Sequence, residues 1–261
     1  MAERHGRERG NPARGYLYGL KSMAGKEENM SGILYGIGVG PGDPGLLTLK
    51  AQSLLNAAKV LAVPVKKKGM SSTALGIVEQ VIQTKGKTII ELEFPMEHSR
   101  AAMEKSHTAA AGKICEILEQ GTDVVLITLG DVSVYSTCTY VLKKVKAHGY
   151  KTEIVPGIPS FCSGAARAGI SLVEGHENMA VVSGIKGKEA IEAVLDQFDN
   201  VVLMKAGAKM ELIAELLDER NMLNAATVLS NIGMEDEYIG PVAKERGYGY
   251  FTTVIIKKGR A

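Results

Sequence analysis

Gly36-Ile37-Gly38-Val39-Gly40-Pro41-Gly42-Asp43-Pro44-Gly45 is the stretch on which the reading of this chain turns. The apolar run 33–39 predicts a buried strand, and the apolar spacing of 46–55 predicts a helix after it. A glycine-rich strand-to-helix turn lets a ligand approach the backbone, because glycine has no Cβ and tolerates positive φ. Gly40, Gly42 and Gly45 satisfy the dinucleotide pattern G-x-G-x-x-G, but their neighbours oppose a pyrophosphate. Pro41 and Pro44 have no N–H to donate, and Asp43 repels an anion. Where the pattern expects an acidic residue about 20 positions on, the chain has Lys66-Lys67-Lys68. The loop reads as built for a ligand other than a polyphosphate; the alternative is a tight turn whose glycines serve geometry alone.

The length of 261 residues suits one large or two medium domains, and 45% hydrophobic with 23% charged residues is the balance of a globular protein. No apolar run approaches the roughly 18 residues of a membrane span. The net charge of +2 comes entirely from residues 1–29; the rest of the chain balances at 25 basic and 25 acidic residues. A nucleic-acid surface needs a concentrated basic excess, so none is expected. Cys115, Cys138 and Cys162 are odd in number and widely spaced, which predicts free thiols in a reducing cytoplasm. His5, His98, His107, His148 and His176 show no metal-ligand spacing, so no protein-held metal is expected.

Residues 1–29 are rich in Gly, Arg, Glu and Lys without an apolar period. They read as a flexible N-terminal extension, with Met30 as the expected natural start. After it the chain alternates strand and helix. Strands are predicted at 33–39, 60–65, 88–92, 124–129 and 152–155, with helices at 46–57, 72–83, 100–120 and 134–148. A second series places strands at 179–183, 201–204, 227–230 and 251–257, with helices at 188–198 and 210–220. Such alternation implies a parallel sheet covered on both faces. The expectation is two α/β domains, 30–157 with a parallel sheet and 158–261 with a mixed sheet, joined near Gly157–Gly175 with a cleft between them.

Ligands of open parallel sheets bind beyond the carboxyl ends of the strands. Five unusual loops fall there: GPGDPG, Lys66-Lys67-Lys68 with Gly69, Phe94 to His98, Gly130 to Thr137, and Pro156 to Phe161.

In this order and at these spacings, GVGPGDPGLLTLKA, LITLGDVSVYST, IVPGIPSF and VVLMK resemble the tetrapyrrole methylases, the S-adenosylmethionine enzymes of cobalamin and siroheme synthesis. The resemblance covers essentially all of Met30–Ala261. Residues 250–256 and Ser160-Phe161 are most similar to the branch that methylates carbon 20 in the corrin pathway. Gly130-Asp131-Val132 departs from the family's Gly-Asp-Pro and, with Ser136-Thr137, is closer to the cobalt-early forms. The resemblance therefore implies cobalt-factor II as substrate, against metal-free precorrin-2 in the aerobic counterpart.

It further implies a homodimer, S-adenosylmethionine as cofactor, and a cofactor site. Gly130, Asp131, Val132, Tyr135, Ser136, Thr137, Ser160 and Phe161 would hold the cofactor, Met204 and Ile232 would line its adenine side, and Pro41 would meet it from the first loop. Leu212, Ile213, Leu216 and Leu217 form an apolar helix face that the dimer would help to bury.

Several residues keep a second reading. Asp131 is also a helix N-cap candidate for a helix starting near Val134, and Met204 a core candidate. Lys66, Lys67 and Lys68 either steer a carboxylate-rich substrate or form a solvated face. Tyr135 and His98 are site or surface residues. Asp43 is either a catalytic carboxylate or a turn-stabilising Asx residue. Beside C-20 methylation stand methylation of another tetrapyrrole carbon or of diphthine, and a dinucleotide-binding dehydrogenase.

Overall fold

A computed structural model describes residues 31–95, 99–184, 187–243 and 245–260. The extension read over 1–29, and His98, lie outside these residues.

The first sheet is parallel throughout. Its strands are β1 (Leu34–Gly38), β2 (Val60–Val65), β3 (Thr88–Glu93), β4 (Val124–Thr128) and β5 (Thr152–Val155), in the order β3-β2-β4-β1-β5. Between them run α1 (Leu49–Ala57), α2 (Thr73–Glu79), α3 (Arg100–Glu119) and α4 (Cys138–Ala147). The strand parity decides which helix covers which face. Ile37, Leu61, Val63 and Ile127 meet Ala51 and Leu55 of α1 and Ile77 and Val78 of α2. Leu34, Ala62 and Leu126 meet Ile114 and Leu118 of α3 and Val141 and Val145 of α4 on the other side. Each fully buried Ile or Leu contributes on the order of 1.5–3 kcal/mol.

The strand order also locates the switch point of the sheet. The chain leaves β1 over one face towards β2, and leaves β4 over the opposite face towards β5. Adjacent strands whose connections depart on opposite faces mark the switch point of such a sheet, here between the carboxyl ends of β1 and β4.

The second sheet is mixed, in the order β6-β7-β10-β8-β9. It comprises β6 (Met179–Ser183), β7 (Asn200–Met204), β8 (Ala226–Ser230), β9 (Tyr238–Gly240) and β10 (Thr252–Lys257), with only β6 and β7 parallel. Helices α6 (Lys188–Gln197) and α7 (Met210–Glu219) cover one face through Ile191, Leu195, Ile213 and Leu217 against Val201, Leu203, Val254 and Ile256. Helix α5 (Ser160–Ala168) covers the other through Phe161 and Ala165 against Val202, Leu229 and Ile255. Among the described residues no helix is long and apolar enough to cross a membrane.

Two elements were not predicted and two expectations are corrected. The segment 157–175, read as the place where the two halves join for its Pro, Ser and Gly content, contains α5. Pro159 stands at its N-cap, where a missing N–H costs nothing, and Gly169 ends it at φ 64°. Strand β9 was not predicted, because three residues carry no usable period. Helix α4 begins at Cys138 rather than Val134, since residues 131–136 are engaged in side-chain-to-backbone bonds that compete with a helical turn. Finally, Ile213, Leu216 and Leu217 of α7 are buried in the chain's own core with Leu212 packed beside them, so they supply no dimer face.

Candidate functional site

At the switch point the backbones of β1 and β4 come together beyond the strand ends. Gly40 N–H donates to Gly130 O at 3.2 Å and Gly130 N–H donates to Gly40 O at 2.7 Å, an isolated bridge that closes the crevice. Such proximity excludes side chains. A Cβ at Gly38 would lie 2.6 Å from Gly130 O and 2.7 Å from Gly157 N. The three loops after β1, β4 and β5 therefore share one backbone knot.

Asp131 ties that knot. Its buried carboxylate accepts from Ser133 N–H at 2.8 Å, from the Ser133 hydroxyl, and from Gly157 N–H at 2.8 Å across 26 residues of chain. Burial by itself would raise this carboxyl. The hydrogen bonds from Ser133, Gly157 and the Val132 N–H outweigh it and hold the group below the usual carboxylate range. The N-cap reading of Asp131 is thus replaced by an Asx turn that also fastens the loop after β5. Val132, whose N–H a proline would lack, turns its side chain fully into the core.

The next residues of this loop have structural work of their own. Ser136 Oγ lies 2.9 Å from Thr128 Oγ1 and accepts from Cys138 N–H at 3.2 Å. Thr137 is the N-cap of α4 without a side-chain cap bond. Tyr135 is half exposed at φ 47°, and its hydroxyl donates to Val181 O of β6 at 2.8 Å.

The carboxyl ends of β7 and β8 in the second sheet, with the start of β10, face these loops. Gly42 and Pro41 are buried, and a Cβ at Gly42 would meet Ile232 O and stand 2.7 Å from Gly233 C. The loop after β1 is thereby pressed on the loop after β8. Asp43 N-caps the short 3-10 turn Pro44–Leu46, its Oδ1 accepting from Gly45 N–H at 2.8 Å, so the Asx geometry is present. The other carboxylate oxygen has no hydrogen-bond partner among the described residues. Phe161 and Ile232 are core side chains, at 7% and 3% exposure, and only their backbones are available to a ligand. Ser160 and Met204 are half buried at the same edge, and Met204 packs against that core.

Lys66, Lys67 and Lys68 are exposed at the end of β2, two strands from β1. Glu93 Oε1 accepts from Lys68 N–H at 2.6 Å and Glu91 Oε2 from Gly69 N–H at 2.8 Å. These carboxylates pin the backbone and offset part of the basic charge. A groove of about 410 Å³ lies at the outer corner of the sheet, lined by Leu92, Glu93, Pro95, Lys105, Ser106 and Lys113.

Lys205 and Asn231 were not assigned to the site from the sequence, although Lys205 ends the VVLMK motif. They follow β7 and β8 with left-handed backbones at φ 56° and 52°. A signal was available for both: the motif for Lys205, and for Asn231 the tolerance of Asn for that region.

Two α/β sheets joined through strand-end loops, with a closed switch point and glycine-lined turns, define the fold class. A family model described as Tetrapyrrole (Corrin/Porphyrin) Methylases matches residues 33–244. The chain is 32% identical over 235 residues to a cobalt-precorrin-2 C(20)-methyltransferase of Salmonella typhimurium, covering 88% of this chain and 98% of that one. To a probable cobalt-precorrin-2 C(20)-methyltransferase of Methanocaldococcus jannaschii it is 41% identical over 172 residues, 66% of this chain and 71% of the relative. A precorrin-2 C(20)-methyltransferase of a Sinorhizobium species is 26% identical over 243 residues, 87% and 97% of the two chains. Among solved structures, a cobalt precorrin-4 methyltransferase superposes with TM-score 0.67 at 18% identity, covering 92% of this chain and all of that one. A uroporphyrin-III-C-methyltransferase from Thermus thermophilus gives 0.62 at 22%, covering 87% and 94%. The chain belongs to the tetrapyrrole methylases, and it is a C-methyltransferase.

Proposed function

We propose that this enzyme transfers a methyl group from S-adenosylmethionine to carbon 20 of a cobalt-bearing reduced tetrapyrrole, cobalt-factor II or its cobalt-precorrin-2 form. The observation that carries the reading is the 32% and 41% identity to relatives named for cobalt-precorrin-2, against 26% to the one named for precorrin-2. Metal-free precorrin-2 is the second reading.

The residues present fit the cofactor. A Cβ at Gly130 would meet nothing within 4 Å, so this left-handed glycine borders open space beside the knot. Beyond other strand ends stand half-buried Ser160 and Met204 and the backbones of Phe161 and Ile232, a mixture of polar main chain and apolar wall suited to an adenosine and an amino-acid group. We assign cofactor holding to these and to Pro41, Asp131, Val132, Tyr135, Ser136 and Thr137. Asp131, Val132 and Ser136 act through the loop shape they maintain. S-adenosylmethionine supplies an electrophilic sulfonium methyl. The tetrapyrrole carbon is itself electron-rich, so the protein's part is chiefly alignment, which is worth on the order of 7–11 kcal/mol in well-oriented reactions.

Asp43, beside the packed loops, is assigned to stabilising the positive charge that develops on the macrocycle or to receiving its proton through water. Lys66, Lys67 and Lys68 are assigned to the substrate's peripheral carboxylates. The reading includes division of the chain after Gly157, a cytoplasmic location and a homodimer, the last checked by sedimentation at micromolar protein.

The test is incubation with S-adenosylmethionine and either cobalt-factor II or precorrin-2, with mass spectrometry and NMR of the product. One added methyl at carbon 20 is expected, faster on the cobalt substrate. Methylation elsewhere, or calorimetric binding of NAD without S-adenosylhomocysteine, overturns the proposal.

A further inference from the structure

Among the described residues four non-glycine residues have left-handed backbones, and three of them follow strands of the two sheets: Tyr135 after β4, Lys205 after β7 and Asn231 after β8. The fourth, Asn221, follows α7, an ordinary place for a helix-ending residue. Asn tolerates this region, whereas a long side chain with a Cβ is disfavoured there. Lys205 is the anomaly. It sits directly after Met204, which pairs with Thr253 of β10; Ala206 N–H donates to Thr252 O at 2.8 Å. On the neighbouring side Asn231 N–H donates to Phe251 O at 3.1 Å. These bonds hold the Lys205 turn against Tyr250 and Phe251.

The side chain reaches an aromatic face. Lys205 Nζ stands 5.5 Å from the Tyr250 ring centroid, and Tyr250 packs edge-on against Phe251 at 5.3 Å. No ion pair involves Lys205 among the described residues, and the two rings are 45% and 37% exposed. A solvated lysine has no need of a disfavoured backbone, and glycine would relieve it. Strain retained beside open aromatic surface at a ligand edge points to use of the ammonium.

We infer that Lys205, positioned by Tyr250, is a carboxylate-binding residue of this site. The ammonium takes an acid group of the ligand, and the ring fixes the ammonium and offers an apolar face next to it. The inference rests on the methyltransferase reading above, under which two ligands carry carboxylates: the tetrapyrrole at its periphery and the cofactor at its amino-acid end.

The experiment compares Lys205→Gly, Lys205→Gln, Lys205→Arg and Tyr250→Leu with the unaltered chain by three readouts. These are thermal melting, calorimetry with S-adenosylhomocysteine, and absorbance titration with cobalt-factor II. Lys205→Gly is expected to melt no lower than the parent, because glycine suits φ 56°. It and Lys205→Gln are expected to weaken one carboxylate ligand about fivefold, the scale of a partly exposed ion pair, with Lys205→Arg within about twofold of the parent. Weakening confined to cobalt-factor II makes the tetrapyrrole the source of the carboxylate; weakening confined to S-adenosylhomocysteine makes it the cofactor. Unchanged affinity for both in the Gly and Gln variants overturns the inference alone. A parent chain that binds neither ligand overturns the methyltransferase reading together with it.

Discussion

The hydroxyl of Tyr135, in the loop after β4 of the first sheet, donates a 2.8 Å hydrogen bond to the carbonyl of Val181 in β6, the outer strand of the second. An outer strand carries unpaired main-chain groups on its free side, which a protein must cover or leave to water. The left-handed backbone of Tyr135 aims the ring across the gap, and Val134 packs into the core of the second sheet next to it. One tyrosine thereby ties the loop after β4 to the edge it faces.

Tyr135→Phe isolates that tie. The ring and backbone remain, and one half-exposed neutral hydrogen bond is lost, for an expected destabilisation of about 0.5–1 kcal/mol in urea unfolding. S-adenosylhomocysteine affinity should stay within about twofold if the hydroxyl acts only on Val181. A tenfold weakening would show the hydroxyl on the cofactor instead.

Asp131→Ala should be far more damaging. It leaves the Gly157 and Ser133 N–H groups without their charged acceptor at the meeting of three loops, an expected loss of about 2–4 kcal/mol. The pH dependence follows from linkage. The folded-state pKa is lowered, so the unfolded chain binds the proton more readily. The stabilisation is fully present above the ordinary aspartate value of 3.8 and fades as pH falls through the lower folded value. Unfolding midpoints measured from pH 6 to pH 3 should drop more steeply in the parent chain than in Asp131→Asn, whose residue 131 does not titrate. Parallel curves would remove Asp131 from the acid response.

At Asp43 charge and turn geometry can be separated. Asparagine can still accept from Gly45 N–H through its amide oxygen, so Asp43→Asn keeps the Asx turn and removes the negative charge. The expected result is a turnover at least tenfold lower, about 1.4 kcal/mol in activation free energy, with S-adenosylhomocysteine affinity unchanged. Equal turnover would leave Asp43 with the turn alone.

Replacing Lys66, Lys67 and Lys68 together by Gln should raise the tetrapyrrole Michaelis constant about threefold and flatten its salt dependence, leaving the cofactor constant alone. The modest size reflects Glu91 and Glu93, which bind the same turn's backbone and cancel part of its field. Kinetics indistinguishable from the parent at low salt would make the run a solvated face.

The sequence by itself determined the alternation of strand and helix, since apolar runs and helical periods are local properties of the chain. β2, β5 and β6 fall at the predicted residues 60–65, 152–155 and 179–183. It also determined the family, because the glycine and proline loops that follow the strands are contiguous motifs. What only the tertiary structure decided are partnerships between distant segments. No local pattern announces that Asp131 fastens Gly157, that Tyr135 reaches Val181, or that α7 buries Ile213 and Leu217 within its own chain. Nor does any pattern place Lys205 on the Tyr250 ring at φ 56°. That conformation is imposed by β10 and its neighbours closing around the strand end, where main-chain pairing outweighs the preference of a single residue.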